Sequence, residues 1–284
     1  MRGLAAISVV FYHYTTRYQQ KYGFNEPPSL EFPFGHLGVN LFFVISGFVI
    51  FMTLERIRRP EDFVVSRFSR LFPTFWAAVL LTAAVEALTQ VLGSGLTPLQ
   101  IVANLLMVHE FLSFPSVDGV YWTLQIELFF YLWMFSLWLI GGLRRTYPWI
   151  TLWLLLSLAT SGVAGWSLPV PYRVAQLGLL PHIPFFVLGM AVYLQHSRGA
   201  AERLRPLALG SLALAVIGLT QGATLLAWAA CFVALLLLAL RINARVERLA
   251  RPVIWLGAIS YPLYLLHQNI GYTVIHFAQV WGIN

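Results

Sequence analysis

Long apolar segments alternate with short polar stretches along the 284 residues of the chain. The apolar segments lie at about 3–20, 36–54, 74–92, 120–140, 148–166, 181–196, 206–220, 222–240 and 253–275. Most of them approach the roughly 20 residues that an α-helix needs to cross the hydrocarbon core of a bilayer. The pattern predicts an all-α protein, a polytopic transmembrane helical bundle with about nine to ten spans.

Composition favours a protein of the bilayer over a protein of the aqueous phase. Hydrophobic residues make up 59% of the chain and charged residues only 10%, whereas soluble domains carry about 25% charged residues. We therefore expect a single membrane-embedded domain over residues 1–284, with the lipid bilayer around it. The net charge of +7 would also suit nucleic acid, but the arginines lie in short loops where they set topology, so we expect no nucleic-acid partner. The single cysteine, Cys231, excludes an intramolecular disulfide framework and gives no metal-site signature.

Basic residues fall almost entirely on one side of the predicted spans. With nine spans, 15 of the 18 Lys and Arg residues share a side. They are Arg2, Arg56, Arg58, Arg59, Arg67, Arg70, Arg144, Arg145, Arg198, Arg203, Arg205, Arg241, Arg245, Arg248 and Arg251. Because cytoplasmic loops are enriched in Lys and Arg, this split predicts a cytoplasmic N-terminus. A full crossing at Leu99–Leu112 would move Arg144, Arg145 and the arginines at 198–205 to the outer side. We therefore expect an interfacial or re-entrant helix there, with a tenth span left open.

The segments that flank the first span bear on processing and on access to a site. Arg17 and Lys21 follow this span without a small-residue cleavage site, so we expect no cleavable signal peptide. The outer loop 21–35 is rich in Pro, Gly and aromatic residues, which suits an ordered lid or an acceptor-binding loop. The inner loop 55–73 holds five arginines. No internal repeat is evident, so the sequence gives no support to an inverted-repeat transporter.

Three ionisable side chains lie at a similar predicted depth in three different spans. The first helix carries Arg2 at its cytoplasmic edge and His13 on nearly the same face, about 16 Å higher. Glu127 lies roughly 10 Å below the outer end of its span, and His267 about 20 Å above the inner end of the last span. Ionisable groups are costly in lipid, so their common level predicts a shared polar site. A buried carboxylate can hold the tautomer of a histidine, although a hydrogen-bonded packing cluster without chemistry is the alternative.

Arg67 and Arg70 stand three residues apart just inside the predicted cytoplasmic face. This spacing places both guanidinium groups on one helix face, where planar forks suit phosphate groups. Topology-setting charge or contact with lipid headgroups explains either arginine alone equally well.

The run Gly38–Phe48 contains small residues that allow two helices to approach closely, Ser46 and Gly47 among them. Ser46 before Gly47 is also found in intramembrane serine proteases. Here Val44 takes the first position of the Gly-x-Ser-Gly frame, so the sequence does not favour that class.

Five motifs in a fixed order give the chain a family resemblance. They are Arg2-x10-His13, the run Gly38–Phe48, Arg67-x-x-Arg70 followed by Leu71-Phe72-Pro73, Trp122-Thr123-Leu124-x-x-Glu127-x-x-x-Tyr131, and Ile259-Ser260-Tyr261-x-Leu263-Tyr264-Leu265-Leu266-His267. Together they resemble the acyltransferase-3 family of bacterial integral-membrane O-acyltransferases, which modify cell-surface polysaccharides and related molecules. The resemblance covers nearly the whole chain and implies the bacterial cytoplasmic (inner) membrane. The family often has Asp where Asn40 stands, so no acidic role is expected at that position.

The resemblance implies transfer of an acyl group, often acetyl, from cytoplasmic acyl-CoA to a hydroxyl of a carbohydrate or other cell-surface acceptor. Acetyl-CoA would be a donor substrate, with no permanently bound cofactor. His13 would be the catalytic residue, which we take as a general base, with Glu127 orienting it or balancing its charge. Arg2, Arg67 and Arg70 would serve the donor, the last two near the CoA phosphates. Acceptor-site or site-lining residues are expected in or beside the motifs: His36, Asn40, Ser46, Trp122, Tyr261, Tyr264 and His267.

Three alternatives stay open from the sequence. A transporter or flippase for a small solute or lipid-linked sugar would use the same mid-membrane polar residues without consuming acyl-CoA. A membrane scaffold would tolerate alanine at all of them. A transient acyl-His13 intermediate is the alternative to base catalysis, and the sequence leaves a homo-oligomer open.

Overall fold

The computed structural model describes residues 1–26, 28, 30–93, 95–165, 167–199, 202–241 and 251–282. Pro27 of the outer loop, and Arg245 and Arg248 of the basic set, lie outside this part of the chain. Throughout the described residues the regular structure is helical and includes no β-strand. The predicted all-α class is confirmed.

Helices follow one another with short connections. In chain order they are α1 (Arg2–Phe11), α2 (Tyr18–Lys21), α3 (Gly38–Arg56), α4 (Pro60–Thr89), α5 (Pro98–Leu105), α6 (Trp122–Leu139), α7 (Thr146–Ala159), α8 (Tyr172–Leu177), α9 (Ile183–Ser197), α10 (Leu204–Gln221), α11 (Ala223–Ala239), α12 (Arg251–Leu266) and α13 (Gln268–Val280). A π-helical segment, Tyr12–Arg17, joins α1 to α2. Short 3-10 turns at Pro33–Leu37, Gly142–Arg145 and Val163–Gly165 precede α3, α7 and α8. Each predicted apolar segment therefore contains a helix.

The arginine-rich segment 55–73 is mostly helical, and its prediction as a loop is wrong. The helix α4 begins at Pro60 and has Glu61 and Asp62 in its first turn. Proline at the first helical position and carboxylates near the positive end of the helix dipole both favour a helix start there. Pro73 lies inside α4 without ending it. The connection between α3 and α4 is thus much shorter than the apolar pattern suggests.

The stretch 99–112, expected to form an interfacial or re-entrant helix, is helical only as far as Leu105. The following residues form irregular turns up to 113. Asn104 holds them in place, since its side chain donates to the Pro115 carbonyl at 2.9 Å and accepts from the Val117 amide at 2.9 Å. Buried irregular backbone in a membrane protein requires such partners. Interfacial placement of this stretch stays a prediction.

Three helices among the described residues are long and apolar enough to cross a membrane. They are Pro33–Arg56 with 24 residues, Pro60–Thr89 with 30 and Leu204–Gln221 with 18. Shorter apolar helices of 10–17 residues accompany them: Thr146–Ala159, Ile183–Ser197, Ala223–Ala239 and Ile254–Leu266. These helices indicate a membrane protein, while the number of crossings stays a prediction.

The Cα positions divide into two compact units. The first unit comprises Met1–Val39, Val65–Gln125 and Leu249–Asn284, and the second comprises Asn40–Val64 and Ile126–Arg248. In the first unit α1 packs along α12. A Cβ on Gly3 would lie 2.9 Å from Gly257 N, and ten residues further along each helix His13 meets His267. The two helices therefore run parallel and in register.

Close contact between α3 and α9 organises the second unit. A Cβ on Gly47 would overlap the Phe186 carbonyl oxygen, and a Cβ on Gly189 would overlap the Val44 carbonyl oxygen. The two backbones touch where both helices lack a side chain, as small residues allow in membrane proteins. Phe186 also stacks on Phe130, with ring centroids 4.0 Å apart. The close approach predicted for the glycine-containing run of α3 is confirmed at Gly47.

Adding one methyl group at Gly189 should destabilise the second unit. The new Cβ meets a backbone atom that cannot rotate away, so we expect Gly189→Ala to cost about 1–3 kcal/mol and about 5 °C in apparent melting temperature in detergent. Gly210→Ala is the matched control, because its Cβ would make an ordinary contact of 3.5 Å with the Ala191 Cβ. Equal melting temperatures for the two variants would contradict the close crossing.

Candidate active site

His13 and His267 lie against each other in the first unit. His13 Nδ1 and His267 Nε2 are 3.2 Å apart, and the ring centroids are 4.8 Å apart in an edge-to-face arrangement. His267 is buried, with 2% of its surface exposed, while His13 is half-buried. Helix geometry predicts that the two histidines lie at a similar depth in the membrane. In the structure their rings are in contact.

Neighbouring carbonyl groups determine which nitrogen atoms of the pair carry protons. His13 Nδ1 lies 2.9 Å from Val9 O, and His267 Nδ1 lies 2.8 Å from Tyr264 O. Carbonyl oxygens only accept hydrogen bonds, so both Nδ1 atoms are protonated in the neutral pair. The His13 Nδ1–H is then shared between the Val9 carbonyl and His267 Nε2. This leaves the lone pair of His13 Nε2 unused by the pair, which is the tautomer that a general base requires.

Both histidines stand where a helix departs from α geometry. His13 belongs to the π-helical segment Tyr12–Arg17, and His267 lies between α12 and α13. Such departures change the backbone hydrogen bonding locally, and side chains add further hydrogen bonds there. The Tyr14 hydroxyl donates to His267 O at 2.8 Å, and the same carbonyl accepts from the Gly271 amide at 3.1 Å. Both imidazole rings donate to backbone carbonyl oxygens through Nδ1, so contacts with the backbone fix the orientation of the rings.

A buried aspartate anchors the chain next to His267. Asp118, in the loop before α6, is fully buried. Its carboxylate accepts from the Asn269 amide at 3.0 Å and from the Val120 amide at 3.1 Å. The Asn269 side chain donates in return to the Val117 carbonyl at 2.9 Å. These hydrogen bonds, which we call the Asp118 clasp, hold the residues just after His267 to the loop.

Two tyrosines of α12 connect the His267 helix to other motif segments of the first unit. The Tyr264 hydroxyl lies 2.8 Å from Thr123 Oγ1. The Tyr261 hydroxyl donates to Leu71 O at 2.9 Å, next to the predicted donor-side arginines. Six residues separate Tyr261 from His267, so the contact with Leu71 lies about 9 Å along α12 from the histidine pair.

The three predicted donor-side arginines belong to the first unit, as the histidine pair does. Arg2 is half-buried at the first position of α1, and the next residue, Gly3, lies against Leu256 and Gly257 of α12, about ten positions before His267. On α4, Arg67 is half-buried and Arg70 is exposed. Their role in donor binding stays a prediction.

Glu127 is found in the second unit with partners of its own. Its Oε1 accepts from Ser46 Oγ at 2.8 Å and from the Tyr131 hydroxyl. Ser46 is buried and Glu127 is half-buried. Ser46, predicted only as site lining, thus contacts a predicted catalytic residue. The pairing of Glu127 with His13 stays a prediction.

The remaining predicted lining residues fall in both units. His36 is exposed, and its ring lies 5.2 Å from the ring of Tyr12, which in turn lies 5.0 Å from the ring of His13. Asn40 is half-buried near the start of α3, in the second unit, and Trp122 is half-buried as the first residue of α6. His36 is thus separated from His13 by one aromatic ring.

The sequence pattern does not single out Asp118, Asn269 or Tyr14. The Asp118-Gly119 dipeptide is a turn signal before an apolar segment, and the chain has only 11 Asp and Glu residues, so a full search of its carboxylates would have marked it. Predicted depth in the membrane is defined only for residues within spans, so it does not identify residues of this loop. Tyr14 reaches the His267 carbonyl through the π-helical segment, and Asn269 reaches Asp118 through the helix break. Neither irregularity leaves a periodic signal in the sequence.

Burial raises the pKa of Asp118 from 3.8 to about 6, although the amides of Asn269 and Val120 favour the charged form. A folded-state pKa above the unfolded value means that the folded protein binds more protons in this interval. The free energy of unfolding therefore falls as pH rises between these two values and stays at the lower level above them.

Replacing Asp118 by asparagine should remove this pH dependence. We expect the stability of the wild type relative to Asp118→Asn to rise by on the order of 2 kcal/mol as pH falls from about 7 to about 4. Thermal unfolding in detergent across this pH range measures it. Glu31→Gln changes an exposed carboxylate of the loop before α3 and is the matched control. Parallel curves for the wild type and Asp118→Asn would overturn the assignment.

Comparisons with known proteins point to one family. The chain matches the profile of the acyltransferase-3 family, described as an acyltransferase domain, over residues 1–284. It is 30% identical over 264 residues to the exopolysaccharide production protein ExoZ of Rhizobium meliloti (strain 1021), covering 85% of this chain and 78% of that one. It is 27% identical over 132 residues to ORF330 of Acidianus two-tailed virus, named as a candidate acetyltransferase, covering 46% of this chain and 37% of that one.

A third relative, protein 2 in the picA locus of Rhizobium radiobacter, is 34% identical over 125 residues, which covers 42% of this chain and 59% of that one. No solved structure matches the chain significantly. Because the family profile matches the full chain and ExoZ is similar over most of it, this chain belongs to the acyltransferase-3 family.

Proposed function

We propose that this chain is an integral-membrane O-acyltransferase that moves an acyl group, acetyl in the simplest case, from acyl-CoA to a hydroxyl of a carbohydrate. The observation that carries the proposal is the His13–His267 pair, whose neutral tautomer keeps the lone pair of His13 Nε2 outside the pair. The side chain of Gln268 also bonds to the His13 ring, and an incoming hydroxyl would have to displace or share this contact. Membership of the family supports acyl transfer. Similarity to a protein of exopolysaccharide production supports a polysaccharide acceptor.

In this mechanism His13 is a general base. His13 Nε2 takes the proton of the acceptor hydroxyl while the hydroxyl oxygen attacks the thioester carbonyl carbon. The carbon–sulfur bond then breaks, and the leaving CoA thiolate takes the proton back from His13. An ester and free CoA result, and the imidazole is neutral again. His267 is a positioning residue, because its Nε2 accepts the His13 Nδ1–H throughout and holds the ring in one orientation.

The donor would reach His13 from the end of the first unit that carries the arginines. Arg67 and Arg70 are proposed to bind the CoA phosphates, since guanidinium groups suit phosphate geometry. Support comes from the contact of Tyr261 with Leu71, which joins this part of α4 to α12 about 9 Å from His267. Arg2 lies at the start of α1, eleven positions before His13, and would line the donor entrance.

A membrane crossing separates the two substrates in this proposal. We propose about nine spans with a cytoplasmic N-terminus in the bacterial inner membrane, because basic residues cluster on one side of the apolar segments. Acyl-CoA would then enter from the cytoplasm and the carbohydrate from the outer side. A transporter or flippase would move its solute without releasing CoA, so measuring CoA release alongside transfer separates the two functions.

Replacing His13 by alanine should abolish acyl transfer without unfolding the protein. General-base catalysis contributes about 10²–10⁴ in rate, so we expect a loss in this range. The assay is the O-acetyl content of surface polysaccharide from cells that express each variant, together with CoA release from acetyl-CoA by purified protein. His196→Ala, which removes an exposed histidine of α9, is the matched control. Wild-type transfer by His13→Ala would exclude His13 as the base.

Replacing His267 should separate positioning from base catalysis. His267→Ala removes the acceptor for the His13 Nδ1–H, and the loss of one hydrogen bond should lower kcat about tenfold. His267→Gln offers a carbonyl oxygen as acceptor and should recover most of this loss. KM for acetyl-CoA should stay unchanged in both variants. Equal activity of the Ala and Gln variants would contradict the positioning role, and a shift in KM alone would indicate a donor-binding role instead.

A further inference from the structure

A groove of about 610 Å³ opens between the first turns of α7 and α10, within the second unit. Arg145, Tyr147 and Thr151 line it from the side of α7. On α10, the residues Arg205, Leu209 and Leu212 line it and lie on one helix face, since they are four and three positions apart. None of these residues belongs to the proposed transfer site.

Positive charge lies at one end of this groove and apolar surface at the other. Arg145 and Arg205 are exposed at the mouth. Arg205 is held over the ring of Tyr147, with its guanidinium carbon 5.9 Å from the ring centroid, which is within cation–π range. Leu209 and Leu212 follow along α10, about 6 and 10 Å from the level of Arg205. The groove therefore presents a cationic head and an apolar tail region.

The charges nearby leave the mouth cationic. Glu55, the closest carboxylate of α3, is paired with Arg198 at 2.6 Å. Glu202 is exposed and lies within electrostatic range of Tyr147. Its single negative charge is smaller than the two positive charges of the guanidinium groups at the mouth. The Tyr147 hydroxyl is buried and has no hydrogen-bond partner among the described residues.

We infer that this groove binds an anionic phospholipid, with the phosphate between Arg145 and Arg205 and the upper part of an acyl chain along Leu209 and Leu212. Both helices begin here, so the mouth lies at the headgroup level of a membrane protein and the leucines lie at the level of the hydrocarbon. Basic pockets between membrane helices bind anionic headgroups in this way. Loop arginines that set topology, by contrast, need no apolar groove beneath them.

The other phosphate source with access to this side is the nucleotide part of the acyl donor. An adenosine phosphate would require polar partners for its base and ribose, and the inner part of the groove is apolar. Charge complementarity together with this lining therefore favours the lipid. Binding of the nucleotide instead of the lipid is one result that the experiment below can give.

Purified protein in detergent with added dioleoyl phosphatidylglycerol, dioleoyl phosphatidylcholine or adenosine 3′,5′-bisphosphate tests the inference. Lipid binding is measured by native mass spectrometry and by the shift in melting temperature. We expect phosphatidylglycerol to bind and stabilise the wild type more than phosphatidylcholine. The double variant Arg145→Gln/Arg205→Gln should weaken phosphatidylglycerol binding about 25-fold, at about fivefold for each arginine near an anionic lipid.

Arg203→Gln/Arg241→Gln is the matched control, because it removes two exposed basic residues that do not line the groove. It should keep wild-type binding of phosphatidylglycerol. Equal losses in the two double variants would overturn the inference and leave only non-specific charge. Equal binding of both lipids would overturn the anionic preference, and displacement of phosphatidylglycerol by the bisphosphate would assign the groove to the nucleotide. None of these readouts depends on acyl transfer.

Discussion

The hydrogen bonds of two imidazole rings to backbone carbonyl oxygens organise the first unit, one at a π-helical segment and one at a helix break. Each imidazole donates to a carbonyl of its own helix through Nδ1, and each is thereby fixed in one tautomer. Tyr14 and the Asp118 clasp add hydrogen bonds to the backbone around His267. The geometry of the histidine pair thus depends on contacts with the backbone of the first unit.

The contact between the two histidines depends on the register of α1 and α12. Ten residues separate Gly3 from His13, and ten separate Gly257 from His267, so close contact at one end aligns the histidines at the other. The second unit uses another device, the crossing at Gly47 and Gly189. Neither device involves the residues that line the groove between α7 and α10.

Hydrophobic pattern and charge were enough to predict helices and their approximate positions, because burial in lipid imposes long apolar segments. The start of α4 at Pro60 required local capping signals, which an apolar-segment search ignores. His13 and His267 were predictable as neighbours because ionisable groups in lipid need partners. The contacts of Asp118 and of Glu127 with Ser46 were not, since they join residues far apart in sequence through loops and helix crossings that carry no periodicity.

The pairing of His13 with His267 also has a consequence for synthesis of the protein. The two residues are 254 positions apart, so at about 5–20 residues per second a ribosome needs on the order of 10–50 s to make the second after the first. During this interval the imidazole of His13 lacks its neighbour. The pair can form only after the segment that includes α12 has been synthesised, so this site is among the last parts of the protein to assemble.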